Sequence, residues 1–141
     1  MIKIKNIGLA AYIKLKGCPL IQYRNDRFYF ETNLSSIEWK LQYSNSICLK
    51  REQALHDLRS YFGTDSFLQK TENPIWTSSL DLAAYVSAQG TPIVGFDKGK
   101  KRFYFESNRD FNQIQIEYTN SECTLHAAEV NRLREIVKVN R

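Results

Sequence analysis

Arg27-Phe28-Tyr29-Phe30-Glu31 occurs a second time as Arg102-Phe103-Tyr104-Phe105-Glu106, and Asn33 and Asn108 follow the two stretches at the same distance. Upstream, Leu20 to Tyr23 matches Ile93 to Phe96, Gly17 and Pro19 match Gly90 and Pro92, and Leu9-Ala10-Ala11-Tyr12 returns as Leu82-Ala83-Ala84-Tyr85. Downstream, Tyr43, Asn45, Ser46 and Cys48 return as Tyr118, Asn120, Ser121 and Cys123, and Leu58-Arg59 returns as Leu133-Arg134. Roughly a third of the aligned positions are identical, at a period of about 73 to 75 residues. That period is too long for a solenoid repeat and suits one small domain per copy.

The repeat sets the expected organisation. Copy one spans residues 1–63, a linker spans 64–79, and copy two spans 80–141. A lone unit of about 70 residues is near the lower limit of independent stability. The two copies are therefore expected to share a core and fold as one cooperative unit with pseudo-twofold symmetry. The linker contains Asn73-Pro74, but Phe67, Leu68, Ile75 and Trp76 predict that it packs.

Each copy opens with a short helix whose apolar face carries Leu9, Tyr12 and Ile13, or Leu82, Tyr85 and Val86. Gly17 and Gly90 stop these helices, with Pro two residues beyond. Ser79 is a candidate N-cap, and Asp81 suits a first helical turn. Two strands then form a β-hairpin, whose connection is Arg24-Asn25-Asp26 in copy one and Asp97 to Lys101 in copy two. The next segment reads two ways. Ile37, Trp39, Leu41 and Tyr43 alternate as in a strand, as do Ile114, Ile116 and Tyr118. Phe111, Ile114 and Tyr118 also fit helical spacing, with Asn33 and Asn108 as N-caps. The last element is a helix, with Leu55, Leu58 and Phe62 matching Val130, Leu133 and Val137. The expected fold class is α+β: a tandem helix–β-hairpin–helix–helix unit, with both hairpins joined in one antiparallel sheet and helices on one side.

The order of Leu-Ala-Ala-Tyr helix, Gly, Leu-Ile strand, Arg-Phe-Tyr-Phe strand, spaced Tyr-x-Asn-Ser and a closing helix with Leu-Arg resembles a short, uncharacterised prokaryotic and phage domain of unknown function. Both copies fit it. The resemblance implies helix, not strand, for residues 34–44 and 109–119, and a phage or mobile-element setting. It implies no catalytic residue.

Twenty lysines and arginines against 15 carboxylates give a net charge of +5, a mild bias towards polyanionic partners. Cys18, Cys48 and Cys123 form no Cys-x-x-Cys pair, which fits a reduced, cytoplasmic chain. No apolar run has signal-peptide or membrane-spanning length, so no membrane association is expected. Cys48 and Cys123, at matched positions, read as a buried structural pair. His56 and His126 do not align with each other, and no close Cys/His spacing points to a metal site. No nucleophile, acid–base pair or phosphate loop is recognisable. No catalytic residue, metal or cofactor is expected.

In the second hairpin strand, Phe28, Phe30, Phe103 and Phe105 take one face and form a core. Arg27, Tyr29, Arg102 and Tyr104 take the other, with Glu31 and Glu106, and Lys98, Lys100 and Lys101 extend it. Sheets that stack bases on aromatics and hold phosphates with Arg or Lys use these residue types. An ordinary solvated strand face uses them too, and Glu31 would repel phosphate. A further basic set lies on the last helices: Arg51, Arg59, Arg132, Arg134, Lys138 and Arg141. The expected function is a non-enzymatic nucleic-acid-binding or accessory protein of a phage or mobile element, with single-stranded nucleic acid as the partner. The alternative is a protein–protein interaction or assembly module.

Overall fold

The computed structural model describes residues 1–140. Its elements follow in the order β1 (Ile2–Ile4), α1 (Ile7–Leu15), β2 (Leu20–Arg24), β3 (Arg27–Phe30), α2 (Ser36–Ser44), α3 (Ile47–Arg59), a 3₁₀ turn (Ser60–Gly63), β4 (Phe67–Leu68), β5 (Pro74–Thr77), α4 (Leu80–Ala88), β6 (Ile93–Asp97), β7 (Arg102–Glu106), α5 (Phe111–Thr119) and α6 (Glu122–Val139). The architecture is α+β, with six α-helices and two antiparallel sheets among the described residues. No helix among them is long and apolar enough to cross a membrane.

Local chemistry accounts for the boundaries. Asn6 caps α1 by accepting from the Leu9 N–H at 2.8 Å, and Ser79 caps α4 by accepting from the Leu82 N–H at 3.1 Å. Gly17 and Gly90 follow these helices with φ of +101° and +92°, the left-handed region that glycine enters without a Cβ penalty. The segment that periodicity left open is helical in both places. Its caps lie two residues beyond the expected asparagines. Ser35 forms a capping box with Glu38, and Asp110 accepts from the Asn112 N–H. The alternation of Ile37, Trp39, Leu41 and Tyr43 resolves as a helix. Trp39 and Tyr43, four apart, are buried, while Ile37 and Leu41 face out. The Tyr-x-Asn-Ser motif is a helix corner. Asn45 is the C-cap of α2, and the Ser46 hydroxyl accepts from the Leu49 N–H at the start of α3.

The chain divides into two compact units whose borders do not follow the sequence copies. The first comprises residues 1–49 and 122–141, the second residues 50–121. The last helix of copy two, α6, thus belongs to the first unit. Most of α3, the last helix of copy one, belongs to the second.

In the first unit β3 lies between β1 and β2. Phe28 and Phe30 point inward with Ile4 to meet Leu9, Tyr12 and Ile13 of α1, Trp39 and Tyr43 of α2, and Val130 and Leu133 of α6. In the second unit the strand order is β4-β6-β7-β5. Phe103 and Phe105 point inward with Phe96 to meet Leu82, Ala83, Ala84 and Val86 of α4 and Ala54, Leu55 and Leu58 of α3. The hairpin phenylalanines are therefore core residues, as their alternation predicts.

Two expectations are corrected. The hairpins do not join in one sheet: both edges of the second hairpin are covered by β4 and β5, while the first is covered by β1 on its β3 side and leaves β2 as an edge strand. β1 pairs with β3, β5 with β7 and β4 with β6. Strands β4 and β5 come from the segment read as a linker, and β1 from the first residues. None of the three is long enough to show a period. The opening helices are also more than amphipathic. Residues 9–13 and 82–86 are buried at every position. A five-residue run covers more than a full turn, so these helices are enclosed on all sides. α1 packs against α6, α2 and β1.

Candidate nucleic-acid interface

The outward faces of the two sheets hold the residues singled out in the sequence, but in separate sheets. In the first unit the hairpin turns through Asn25 and Asp26, both with positive φ, the signature of a two-residue type I′ turn. The turn fixes the register Arg24↔Arg27 and Gln22↔Tyr29, and β1 adds Lys3 opposite Tyr29. Lys3, Tyr29 and Gln22 therefore form a row across the outer face. The Arg24 guanidinium lies 5.5 Å from the Tyr29 ring centroid. Arg27 is half-buried and donates to the Asp26 carbonyl oxygen at 3.3 Å. Two carboxylates border this face. Asp26 accepts from the Tyr23 hydroxyl at 3.3 Å, and Glu31 lies 3.8 Å from the N-terminal ammonium.

In the second unit the outward row is Leu68, Gly95, Tyr104 and Trp76, one residue from each strand. Gly95 is required for the close approach of β4. A Cβ there would meet Leu68 Cδ1 at 2.7 Å and the Phe67 carbonyl oxygen at 2.9 Å. The Arg102 guanidinium stacks 3.7 Å over the Trp76 ring, a cation–π contact. A shallow groove of about 310 Å³ runs between Ser66, Phe67, Leu68, Phe96, Asp97 and Tyr104. Lys98 and Lys100 are exposed in the turn. Their backbone N–H groups donate to Ser66 Oγ and Asp97 Oδ1. Lys101 does not extend the Tyr104 face. Its ammonium lies 5.9 Å from Phe62, a ring that packs on Phe96 and Phe103 of the core side.

Arg27 and Tyr29 thus stand together in one unit, and Arg102, Tyr104, Lys98 and Lys100 in the other. Sequence reasoning missed Lys3, Gln22 and Arg24 on the first face, and Leu68 and Trp76 on the second. The two-residue turn between Arg24 and Arg27 was the available signal for Arg24. The partners on β1, β4 and β5 had none, since strands of two to four residues carry no period.

The helix-borne basic set breaks up. Arg51 is only 1 % exposed and binds Asp81 at 2.7 Å, so it cannot meet a phosphate. Arg132 pairs with Glu129 and Lys138 with Glu135, while Arg59 and Arg134 are exposed. Arg141 lies outside the described residues. Cys48 and Cys123 are fully buried. The hydrogen bond between their thiols, with burial, pushes the Cys48 thiol far above its ordinary range, which disfavours thiolate chemistry.

Residues 72–136 match the family model described as Domain of unknown function (DUF5659), a span from just before β5 into α6. No curated protein and no solved structure matches the chain.

Proposed function

We propose that the chain is a non-enzymatic, cytoplasmic nucleic-acid-binding accessory protein of a phage or mobile element. In this reading it is a tandem duplication that folds cooperatively, and its contact surfaces are the outward sheet faces. Arg27 and Tyr29 serve on one, and Arg102, Tyr104, Lys98 and Lys100 on the other. The observation that carries the reading is the recurrence on both faces of an aromatic ring with an arginine beside it: Arg24 with Tyr29, and Arg102 with Trp76. Rings of this kind accept any base by stacking, and flanking cations follow the backbone. The test is fluorescence anisotropy of the whole chain with short labelled DNA and RNA, at low and at physiological salt. Binding that weakens steeply with salt is expected, because each neutralised phosphate releases counterions.

A protein-interaction module is the second reading. Ile37 and Leu41, one turn apart on α2, are 76 % and 65 % exposed and give that reading an apolar strip. It becomes the better account if no nucleic acid binds at low salt.

A further inference from the structure

The charge of the chain is unequally shared. The first unit carries eleven lysines and arginines against six carboxylates, and the second carries nine against nine. The whole net charge of +5 therefore belongs to the first unit. Within it, many cations are already matched. Lys14 and Arg132 pair with Glu129, Lys16 with Glu122, and Lys138 with Glu135. Among the described residues, Lys3, Lys5, Arg24, Arg27, Lys40 and Arg134 make no ion pair with a carboxylate, and only Lys3, Arg24 and Arg27 of these share the face of one aromatic ring. Lys3, Arg24 and Arg27 surround Tyr29 on the outer sheet face, and Lys5 follows β1 two residues beyond Lys3. Asp26 and Glu31 lie at its borders, and each already has a hydrogen-bond or ion-pair partner. The second face is different. The unit that holds it has no net charge, and Asp97 and Glu106 stand on the same two strands as Arg102.

We infer that the β1–β3–β2 face of the first unit is the polyanion site and that its occupant is a single-stranded nucleic acid. This rests on the nucleic-acid reading above and assigns it to one face. Lys3, Arg24 and Arg27 hold the phosphates, and one base stacks on Tyr29. The strand is single because a duplex keeps its base faces inside the stack, out of reach of a ring on a sheet surface. The second face, in the unit without net charge, contributes the smaller share of the attraction, so its lysines tune binding without determining it.

The experiment compares a labelled 15-nucleotide oligo-dT, an oligo-rU of the same length and a duplex of that length, each titrated with the whole chain at several salt concentrations. Single strands are expected to bind more tightly than the duplex. Combining Lys3→Ala, Arg24→Ala and Arg27→Ala should weaken single-strand binding more than tenfold at low salt and reduce the salt slope by about 2, since each phosphate contact on a single strand contributes about 0.7. Tyr29→Leu should weaken binding about ten- to a hundredfold and leave the slope unchanged. Lys98→Ala with Lys100→Ala, on the second face, should weaken single-strand binding less than the first-face triple variant does and move the salt slope less. Arg24→Gln and Arg27→Gln, which keep the side-chain stems, stand in if the triple variant melts early. Equal binding of duplex and single strand overturns the strand assignment. Full binding by the triple variant, with loss in the Lys98/Lys100 variant, overturns the face assignment and leaves the nucleic-acid reading intact. No binding of any probe at low salt overturns both.

Discussion

In the first unit, α6 is tied to α1 by His126, which lies with Nε2 2.8 Å from the Gly8 carbonyl oxygen. In the second unit, the residue 75 positions earlier, Arg51, reaches Asp81 of α4 at 2.7 Å. Asp81 is the sequence counterpart of Gly8, one position before each Leu-Ala-Ala-Tyr. Tyrosines at matched positions complete both sites. Tyr43 stacks near His126 with ring centroids 5.7 Å apart, and Tyr118 hydrogen-bonds Arg51. Burial works against the Arg51 charge, yet Tyr118, Asp81 and Glu52 together hold its pKa above the ordinary value. Gly8 leaves room for Tyr43, since a Cβ there would stand 2.5 Å from the Tyr43 hydroxyl.

The helix pairs also differ in their ion pairs. Lys14 of α1 and Lys16 just past its end bind Glu129 and Glu122 of α6. The counterparts in sequence are Ser87 of α4 and Gln89 just past its end, and Ala54 and Ile47 on α3, none of them charged. The apolar spacing of α3 and α6 would suit either opening helix. Their charges would not. On α1, α3 would set Arg51 beside Gly8 and Ala54 beside Lys14. On α4, α6 would set Glu129 beside Ser87. Helices of like apolar pattern thus differ in the polar contacts they make, and specificity between partners is a difference of affinities.

The sharpest way to break this comparison is to cut the chain between its copies. Residues 1–70 lose α6 with Val130 and Leu133, and residues 71–141 lose α3 with Ala54, Leu55 and Leu58. Loss of several buried side chains, each worth about 2–5 kcal/mol, exceeds the stability of a small domain. Neither half should give a cooperative melt as a monomer by circular dichroism and size-exclusion chromatography, and mixing them should restore one. Two stable monomeric halves would show that the exchanged helices are dispensable.

Next come the two polar ties. Asp81→Asn should cost about 1.5 kcal/mol in chemical denaturation, the low end for a hydrogen bond to a charged group, because the Asp81 side chain is 59 % exposed. Gly8→Ala should cost about 1 kcal/mol, as overpacking outweighs the gain in helix propensity. The Tyr43 ring cannot readily retreat, being buried against Tyr12 at 5.3 Å and His126. Tyr43→Phe should relieve the Gly8→Ala penalty, and no relief would place the strain elsewhere.

The smallest effect is on the acid side. Burial alone would push the Glu129 carboxyl up, but the hydrogen bond from Lys14 and the charges of Lys14 and Arg132 hold it below its usual 4.5. A lowered folded-state pKa gives stability that is present above the unfolded value and lost as pH falls through the folded one. Glu129→Gln should therefore lower the melting temperature near neutrality and flatten its decline below about pH 4.5. Lys14→Glu combined with Glu129→Lys should recover part of the loss, and an unchanged acid limb would assign it to other carboxylates.

The hairpins, the opening helices and their glycine stops were legible in the sequence. Alternation in Arg-Phe-Tyr-Phe-Glu, and a left-handed residue after a helix, are local requirements that the chain meets within a few residues. The inward phenylalanines and the outward Arg27, Tyr29, Arg102 and Tyr104 follow from the same alternation. Half of each outward face was not legible. Lys3, Leu68 and Trp76 arrive on short strands that exist only because a longer strand offers its edge. Burial on every side of Leu9 to Ile13 and Leu82 to Val86 was equally hidden, since no residue in those runs says what covers it.

By itself, the sequence determined the repeated elements, their order and the face that each hairpin turns inward, because each depends on backbone geometry and period over one or two turns of chain. The tertiary structure alone decided that the hairpins stay in separate sheets and that α3 and α6 cross to the other copy's core. Copies with the same apolar spacing offer each helix two nearly equivalent seats. In the arrangement seen, the helices are distinguished by Arg51 with Asp81, His126 with Gly8, and Lys14 with Glu129, pairs distant in sequence whose meaning appears only when the helices face each other.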